Sequence, residues 1–429
     1  MRWSLGLTLV GGAFAACSLV VDTDGLSSGS ITVPDAGDPV DAGFDAPPVD
    51  TGADVDATVI DPVCPNGQGL LGGAPWPMFG GCPTHGAWSK FKGPETPVER
   101  WRFDVPGIAY PGVFVGPDDV TYWGTESDGQ FFVKLTATGA LAWSGDVAGN
   151  VTPLGALARD GSIVVSASSS ITCLRPDGSR KWKYETNFVE ADIGVAITPD
   201  DDILTGSQDG RVIMLRPDGS TRWTFNVDGG PVTTDPALAL DGTIYMSAQN
   251  GKLYAITNGA QKWAITLTTA DAGFDPRVGT AAIGHDGNVY VGTFDRKLLA
   301  VRPDSGIAWA RDLEGRVASM PAFAPDGTVF VATANGRVHA FTPDGTEKWV
   351  YNLEEDSPDM PPLVDAAGVV HMGSYSSLHA IRPDGTRKWK YTIGGHPSGQ
   401  PAIGAGGRMY IRATNAIGQQ RGTVRAIGD

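Results

Sequence analysis

Few residue types in this chain can do covalent or metal chemistry. Cysteine occurs at positions 17, 64, 82 and 173, and there are six histidines. Cys64, Cys82 and His85 lie near one another in sequence, but a zinc site built from them lacks a fourth donor and a C-x-x-C pair. In an exported chain Cys64 and Cys82 read instead as a disulfide, and closing a loop of that length adds roughly 3 kcal/mol in the chain-entropy model. His371 and His379 lie equally far from Tyr375, so a hairpin turning there would bring them face to face. No nucleophile is paired with a base in the sequence, and no loop has the pattern of a phosphate cradle. These residues point to no catalytic group, no metal site and no bound cofactor.

The elements that would position them form a repeat. Leu215-Arg216-Pro217-Asp218-Gly219-Ser220-Thr221-Arg222-Trp223 reads as a strand end, a tight turn and a second strand that carries a Trp. The same pattern runs from Leu174 to Trp182, Phe341 to Trp349 and Ile381 to Trp389, with looser copies ending at Trp143, Trp263 and Trp309. With Trp101 added, successive Trp are 42, 39, 41, 40, 46, 40 and 40 residues apart. A fixed period near 40 is the mark of a repeat architecture. Each unit also holds an alternating strand, such as Thr328 to Ala332, and a turn such as Asp209-Gly210 or Asn335-Gly336, which favours a hairpin. Four antiparallel strands per unit make a propeller blade.

Eight Trp bound seven full units. Past Trp389 three strands remain without a Trp, and Val98 to Phe103 is a Trp strand without its first three. Together they make an eighth blade, which leaves no open sheet edge. The expected fold is all-β: an eight-bladed propeller of four-stranded antiparallel blades over 98–429, its last blade closed by the N-terminal Trp strand. The repeat places Val331, Val291 and Met246 where His371 stands, and Leu299, Ile213 and Tyr254 where His339 and His379 stand. Cys173 takes the place of Ala255, Ala300, Ala340 and Ala380, which makes it a small buried residue. These are packing positions.

Residues 1–17 read as an export signal: Arg2, an apolar run, then Phe14-Ala15-Ala16-Cys17. That end resembles a bacterial lipobox, with Cys17 as the lipidated residue. Residues 18–62 hold ten Asp and no Lys, Arg or Glu, a polar linker with almost nothing to bury. Residues 63–97 are a lead-in segment with the two cysteines. The formal net charge is −16 and the folded part carries no basic cluster, which argues against nucleic acid as a partner. The one membrane attachment expected is the lipid.

Gly251-Lys252-Leu253-Tyr254-Ala255-Ile256 with Trp263, and Gly336-Arg337-Val338-His339-Ala340 with Pro343-Asp344-Gly345 and Trp349, resemble the PQQ-type Trp-motif propeller repeat. Trp76-Pro77-Met78-Phe79 is similar to the lead-in motif of such proteins. The resemblance implies that Trp101, Trp143, Trp182, Trp223, Trp263, Trp309, Trp349 and Trp389 dock between neighbouring blades. It also implies one of two roles, since the family includes quinoprotein dehydrogenases and cofactor-free scaffolds such as BamB. The chain has no adjacent Cys pair, no C-x-x-C-H and no large insertion between blades, and it is shorter than such enzymes usually are. The expectation is therefore a monomeric, non-enzymatic lipoprotein of the outer membrane of a Gram-negative-type bacterium, periplasmic or surface-facing, whose propeller is a protein-binding scaffold. The alternatives are a surface-exposed ligand-binding or adhesive lipoprotein and, third, a PQQ-dependent dehydrogenase. The expected partner face is the rim of inter-blade loops, with Glu190, Asp192, Asp228, Asp271, Asp275, Glu354, Glu355, Asp356 and Asp359, meeting an envelope or extracellular protein.

Overall fold

Along each repeat the second and third strands read as continuous apolar runs, while the last alternates. The burial follows suit. Ile163–Ala167, Ser170–Leu174 and Val329–Thr333 are buried at every position, whereas Val98–Asp104 and Thr221–Asn226 alternate between half-buried and exposed. A strand covered on both faces by neighbouring sheets has no polar side to present.

The computed structural model describes Cys64 and residues 67–429, apart from 106–107, 110–111, 127–130, 148–153, 168–169, 187–192, 229, 233, 269–275, 318, 355–359 and 415–421. All belong to one unit, Asp56–Asp429. Eight antiparallel sheets follow in chain order among the described residues. Blade 2, for example, runs Gly155–Leu157, Ile163–Ala167, Ser170–Leu174, Arg180–Glu185, and blade 3 runs Val195–Ile197, Ile203–Gly206, Arg211–Leu215, Thr221–Asn226. Blade 1 has a fifth strand, because Ile108–Ala109 and Phe114–Val115 both pair with Thr121–Glu126. In blade 8, His396–Ile403, Met409–Thr414 and Gly422–Gly428 are completed by Val98–Asp104, in register from Val98 opposite Gly428 to Asp104 opposite Thr423. The two ends of the propeller close the ring within one sheet.

The outermost strand of each blade carries a register shift just before or at its Trp, as at Met214/Leu215, Ala300/Val301 and Ala380/Ile381. A bulge re-aims the following side chain and tightens the twist, and here that side chain is the indole. The indole Nε1–H reaches a carbonyl in the last turn of the next blade: Trp101 to Ala137 at 2.9 Å, Trp143 to Pro176 at 3.1 Å, Trp182 to Pro217 at 2.9 Å, Trp263 to Pro303 at 2.8 Å, Trp309 to Pro343 at 2.8 Å and Trp349 to Pro383 at 2.9 Å. Trp389 of blade 7 meets the closing blade, and Pro94 supplies the carbonyl at 2.9 Å.

The Gly of each Pro-Asp-Gly turn has two reasons to be Gly. At Gly219 φ is +84°, and a Cβ there would come within 2.7 Å of the Trp182 indole. Trp223 packs in the same way on Gly259. The cation that precedes many of the Trp reaches an Asp in its own blade's first turn, as Lys181 to Asp160 at 2.8 Å and Arg222 to Asp202 at 2.8 Å.

Candidate functional site

The lead-in segment folds onto the axis and contributes backbone groups to blade after blade. The carbonyls of Trp76 and Pro77 accept from Val115 of blade 1 and Leu157 of blade 2, each at 2.8 Å. Those of Pro83, Thr84, Gly86 and Ala87 accept from Leu238, Ile283, Phe323 and Val364 of blades 4 to 7, at 2.8 to 3.0 Å. The Gly80 amide donates to Gln400 Oε1 of blade 8 at 2.6 Å. In most blades the innermost strand is only two or three residues long and would otherwise present an unpaired edge to the axis. The segment satisfies part of those edges in blades 1, 2 and 4 to 7 as it circles.

The circling needs backbone that few residues adopt. His85 and Ala87 have φ of +59° and +47°. Trp76, Met78, Cys82, His85, Ala87 and Ser89 are buried. Cys64 and Cys82 form a disulfide with Cα atoms 5.4 Å apart, and Cys64 packs on the hydrophobic cluster shared by blades 2 to 4. Both thiols are thereby spent, which removes the zinc set. His85 Nδ1 instead lies 3.3 Å from the Ala281 carbonyl, and burial holds its pKa down at about 4. Apart from Gln400, the contacted residues lie at the inner-turn ends of the innermost strands, so the lead-in segment covers the axis on that side. The opposite face carries the inter-blade loops and the turns between second and third strands.

On that open face the predicted acidic group divides. Asp228 and Glu354 are described, and each has a cationic neighbour. Asp228 Oδ2 is 3.3 Å from Lys252 Nζ. Glu354 is 3.0 Å from Arg387 and 3.2 Å from Lys390, and those cations hold its carboxyl below the usual range. Glu190, Asp192, Asp271, Asp275, Glu355, Asp356 and Asp359 lie outside the described residues, as does Cys17. Two inward groups had no signal in the repeat. Asp235 is buried ahead of blade 4 and accepts from the Gly194 amide of blade 3. Gln400 is buried in blade 8, and its Nε2 has no hydrogen-bond partner among the described residues. Asp235 could have been noticed only as an acid just before an apolar innermost strand.

The histidines sit one register away from the simple hairpin. His371 pairs with Ala380 and His379 with Met372, so the two rings do not face each other. His371 Nε2 is 3.0 Å from Asp365 Oδ2, with both side chains buried, and its ring lies 5.6 Å from that of Trp389. The residues that align with it are Tyr245, Tyr290 and Phe330, which pair with Ala255, Ala300 and Ala340, and not Met246, Val291 and Val331. His379 contacts Ser374 and Tyr351, and His339 Nδ1 is 2.8 Å from Glu347. Cys173 is buried opposite Trp182, and burial pushes its thiol up to about 11. These groups hold strands together.

Eight four-stranded blades, each wedged to the next by an indole, define a Trp-docked β-propeller. A family model described as outer membrane protein assembly factor BamB matches residues 94–262, 167–308 and 306–428, and the chain belongs to that family of PQQ-like propellers. A search of curated proteins finds no match. Among solved structures the chain is similar to quinohemoprotein alcohol dehydrogenase from Comamonas testosteroni, at 13% identity and a TM-score of 0.67 over 84% of this chain and 82% of that one. A europium-containing methanol dehydrogenase aligns at 13% identity and a TM-score of 0.69 over 83% of this chain and 98% of that one. BamB from Moraxella catarrhalis aligns at 16% identity and a TM-score of 0.59 over 77% of this chain and all of that one.

These likenesses correct one expectation. A non-enzymatic role was inferred from chain length and from missing cysteine and haem signatures. Yet the ring described here spans 82% and 98% of two dehydrogenases, so neither argument excludes catalysis. The dehydrogenase likeness implies a quinone and a divalent cation. Among the described residues no three His, Cys, Asp or Glu side chains come together as a metal-holding group. The described donor set does not fit such a cation.

Proposed function

We propose that this chain is a ligand-binding propeller of the cell envelope, exported and tethered through Cys17 and the 18–62 linker, which engages a protein partner across its loop face. The observation that carries this reading is the asymmetry of the axis. The lead-in segment bonds to six blades at the inner-turn end and to Gln400 of blade 8, which leaves the loop face as the more accessible one. Membership of a family described as an outer membrane assembly factor supports the envelope location and a protein as ligand. The Gln400 amide nitrogen, buried without a partner among the described residues, supports a contact reaching into the axis from that side.

The test is partner capture from solubilised envelopes by wild-type protein and by a variant with Glu354, Glu355 and Asp356 changed to Lys. The reading expects the variant to lose the partner while keeping its melting temperature. Equal capture by both would overturn it. Protease shaving of intact cells separates surface display, which releases the propeller, from a periplasmic position, which protects it.

A second reading, dehydrogenase chemistry with a bound quinone, draws support from the two dehydrogenase likenesses. Its test is quinone binding followed by absorbance, with dye reduction by alcohols as the second readout. A chain that neither binds the quinone nor reduces the dye removes this reading.

A further inference from the structure

The blades are not equally filled beside their indoles. In six of them the second strand carries an aromatic ring beside the Trp: Tyr245, Tyr290, Phe330, His371 and Tyr410, each opposite an Ala of the third strand, and Tyr122, opposite Lys134. Each lies with its ring centroid 5.6 to 6.3 Å from the Trp of its own blade. Blade 3 substitutes Leu204 opposite Met214, two long aliphatic chains. Blade 2 has Val164 opposite Cys173, and neither fills the space of a ring.

The result is a cleft of about 210 Å³ between blades 2 and 3. Val164, Cys173, Trp182, Ile197 and Ile203 line it together with the charged Asp160 and Lys181 and with Pro217. A dry apolar cavity of about 150 Å³ is large enough to take benzene. Blade 5 shows what the same frame holds when it is filled. There the Tyr290 hydroxyl donates to Asp286 Oδ2 at 2.8 Å and approaches the Pro343 carbonyl at 3.4 Å. Asp160 occupies the corresponding place in the first turn of blade 2, and Pro217 corresponds to Pro343 in the last turn of the following blade. Both acceptors are therefore in place without the phenol. Asp160 is engaged by Lys181 at 2.8 Å, which keeps a charged, polar rim around an apolar floor.

We propose that this cleft binds a phenol ring, stacked beside Trp182 on Val164 and Cys173, with its hydroxyl on Asp160 and the Pro217 carbonyl. The ligand is either a small free phenol or the tyrosine side chain of a peptide. The site lies on the turn face and is independent of the loop-face reading. The same chain already holds a phenol in this frame in blade 5, and because Val164 and Cys173 are almost fully buried the ring enters as side chains at the mouth move aside.

The experiment is a calorimetric titration of the full folded chain with p-cresol, with toluene as the ring lacking a hydroxyl and a capped Gly-Tyr-Gly peptide as the tyrosine source. For a ligand of this size the expected Kd is on the order of 1 mM or tighter, with toluene weaker. Val164→Tyr places the missing ring in the cleft and should weaken p-cresol binding by at least about ten-fold. Cys173→Leu, which fills the cleft from the third strand, supplies the same comparison if the first variant fails to fold. Binding of both p-cresol and the peptide assigns a tyrosine ligand, and p-cresol alone assigns a small phenol. No binding to the wild type, or equal binding by wild type and a folded filled variant, overturns the proposal.

Discussion

The two faces of the ring obey different rules. The turn face repeats itself: a Pro-Asp-Gly turn, an indole lodged on its Gly, a cation on a first-turn Asp, and the lead-in segment sealing the axis. The loop face varies in length and composition from blade to blade, and its described acids are paired with neighbouring cations. A ring must close with little angular error, so the contacts between blades leave little freedom on the turn side. The loops contribute little to closure, and their sequences are free to serve recognition. Changes on the turn face should therefore cost stability, and changes on the loop face should cost binding.

The largest effect is expected where the lead-in segment is anchored. Trp76 is almost fully buried and packs on Gly81. Trp76→Ala should destabilise by about 3–5 kcal/mol, measured by denaturant unfolding. A loss under about 1 kcal/mol would mean that the seal is ornamental.

Next comes the buried His85. Its folded pKa is about 4, whereas an unfolded chain takes up the proton near about 6.5. As pH falls through that window the unfolded state gains a proton that the folded state refuses. Stability should drop between those two values and level off below them, by about 3 kcal/mol in all. His85→Asn, which tolerates positive φ, should flatten that part of the pH–stability curve relative to wild type. Parallel curves would contradict the assignment.

A pair of glycines isolates the docking. Gly242 and Gly219 both have positive φ, at +78° and +84°, but a Cβ meets nothing within 4 Å at Gly242 and the Trp182 indole at 2.7 Å at Gly219. Gly242→Ala should cost about 1–2 kcal/mol for backbone strain alone. Gly219→Ala should cost about 1–3 kcal/mol more, through the displaced ring. Equal melting temperatures would show that the indole has room to move. The smallest stability effect belongs to the loop face. Glu354→Lys breaks an exposed pair and should leave the melting temperature nearly unchanged, while the triple charge reversal should abolish capture.

The ring itself was legible because the Trp period is carried by short-range grammar. Each turn needs its Gly and each indole its place, so the count of eight and the closing strand could be read from spacing. Membership of a PQQ-like family followed from the same residues. The path of the lead-in segment was not legible. Pro83 to Ala87 bonds through backbone carbonyls, and a carbonyl leaves no trace in side-chain pattern. The slot of His371 was misplaced by one residue, because the turn at Ser374–Ser377 is tighter than a turn centred on Tyr375. That slip hid the aromatic column, and with it the gap at Val164. The inference against catalysis failed for another reason: missing motifs say little where one ring serves both dehydrogenases and assembly factors.

The account stands most directly on the sealed axis, and hydrogen exchange reads it residue by residue. The amides of Leu157, Leu238, Ile283, Phe323 and Val364 donate to the lead-in carbonyls. In the intact chain they should exchange as slowly as amides in the second and third strands, and in Trp76→Ala they should lose that protection together. Exchange of these five amides in the intact chain at the rate of the exposed Pro-Asp-Gly turns would contradict the seal and, with it, the assignment of binding to the loop face.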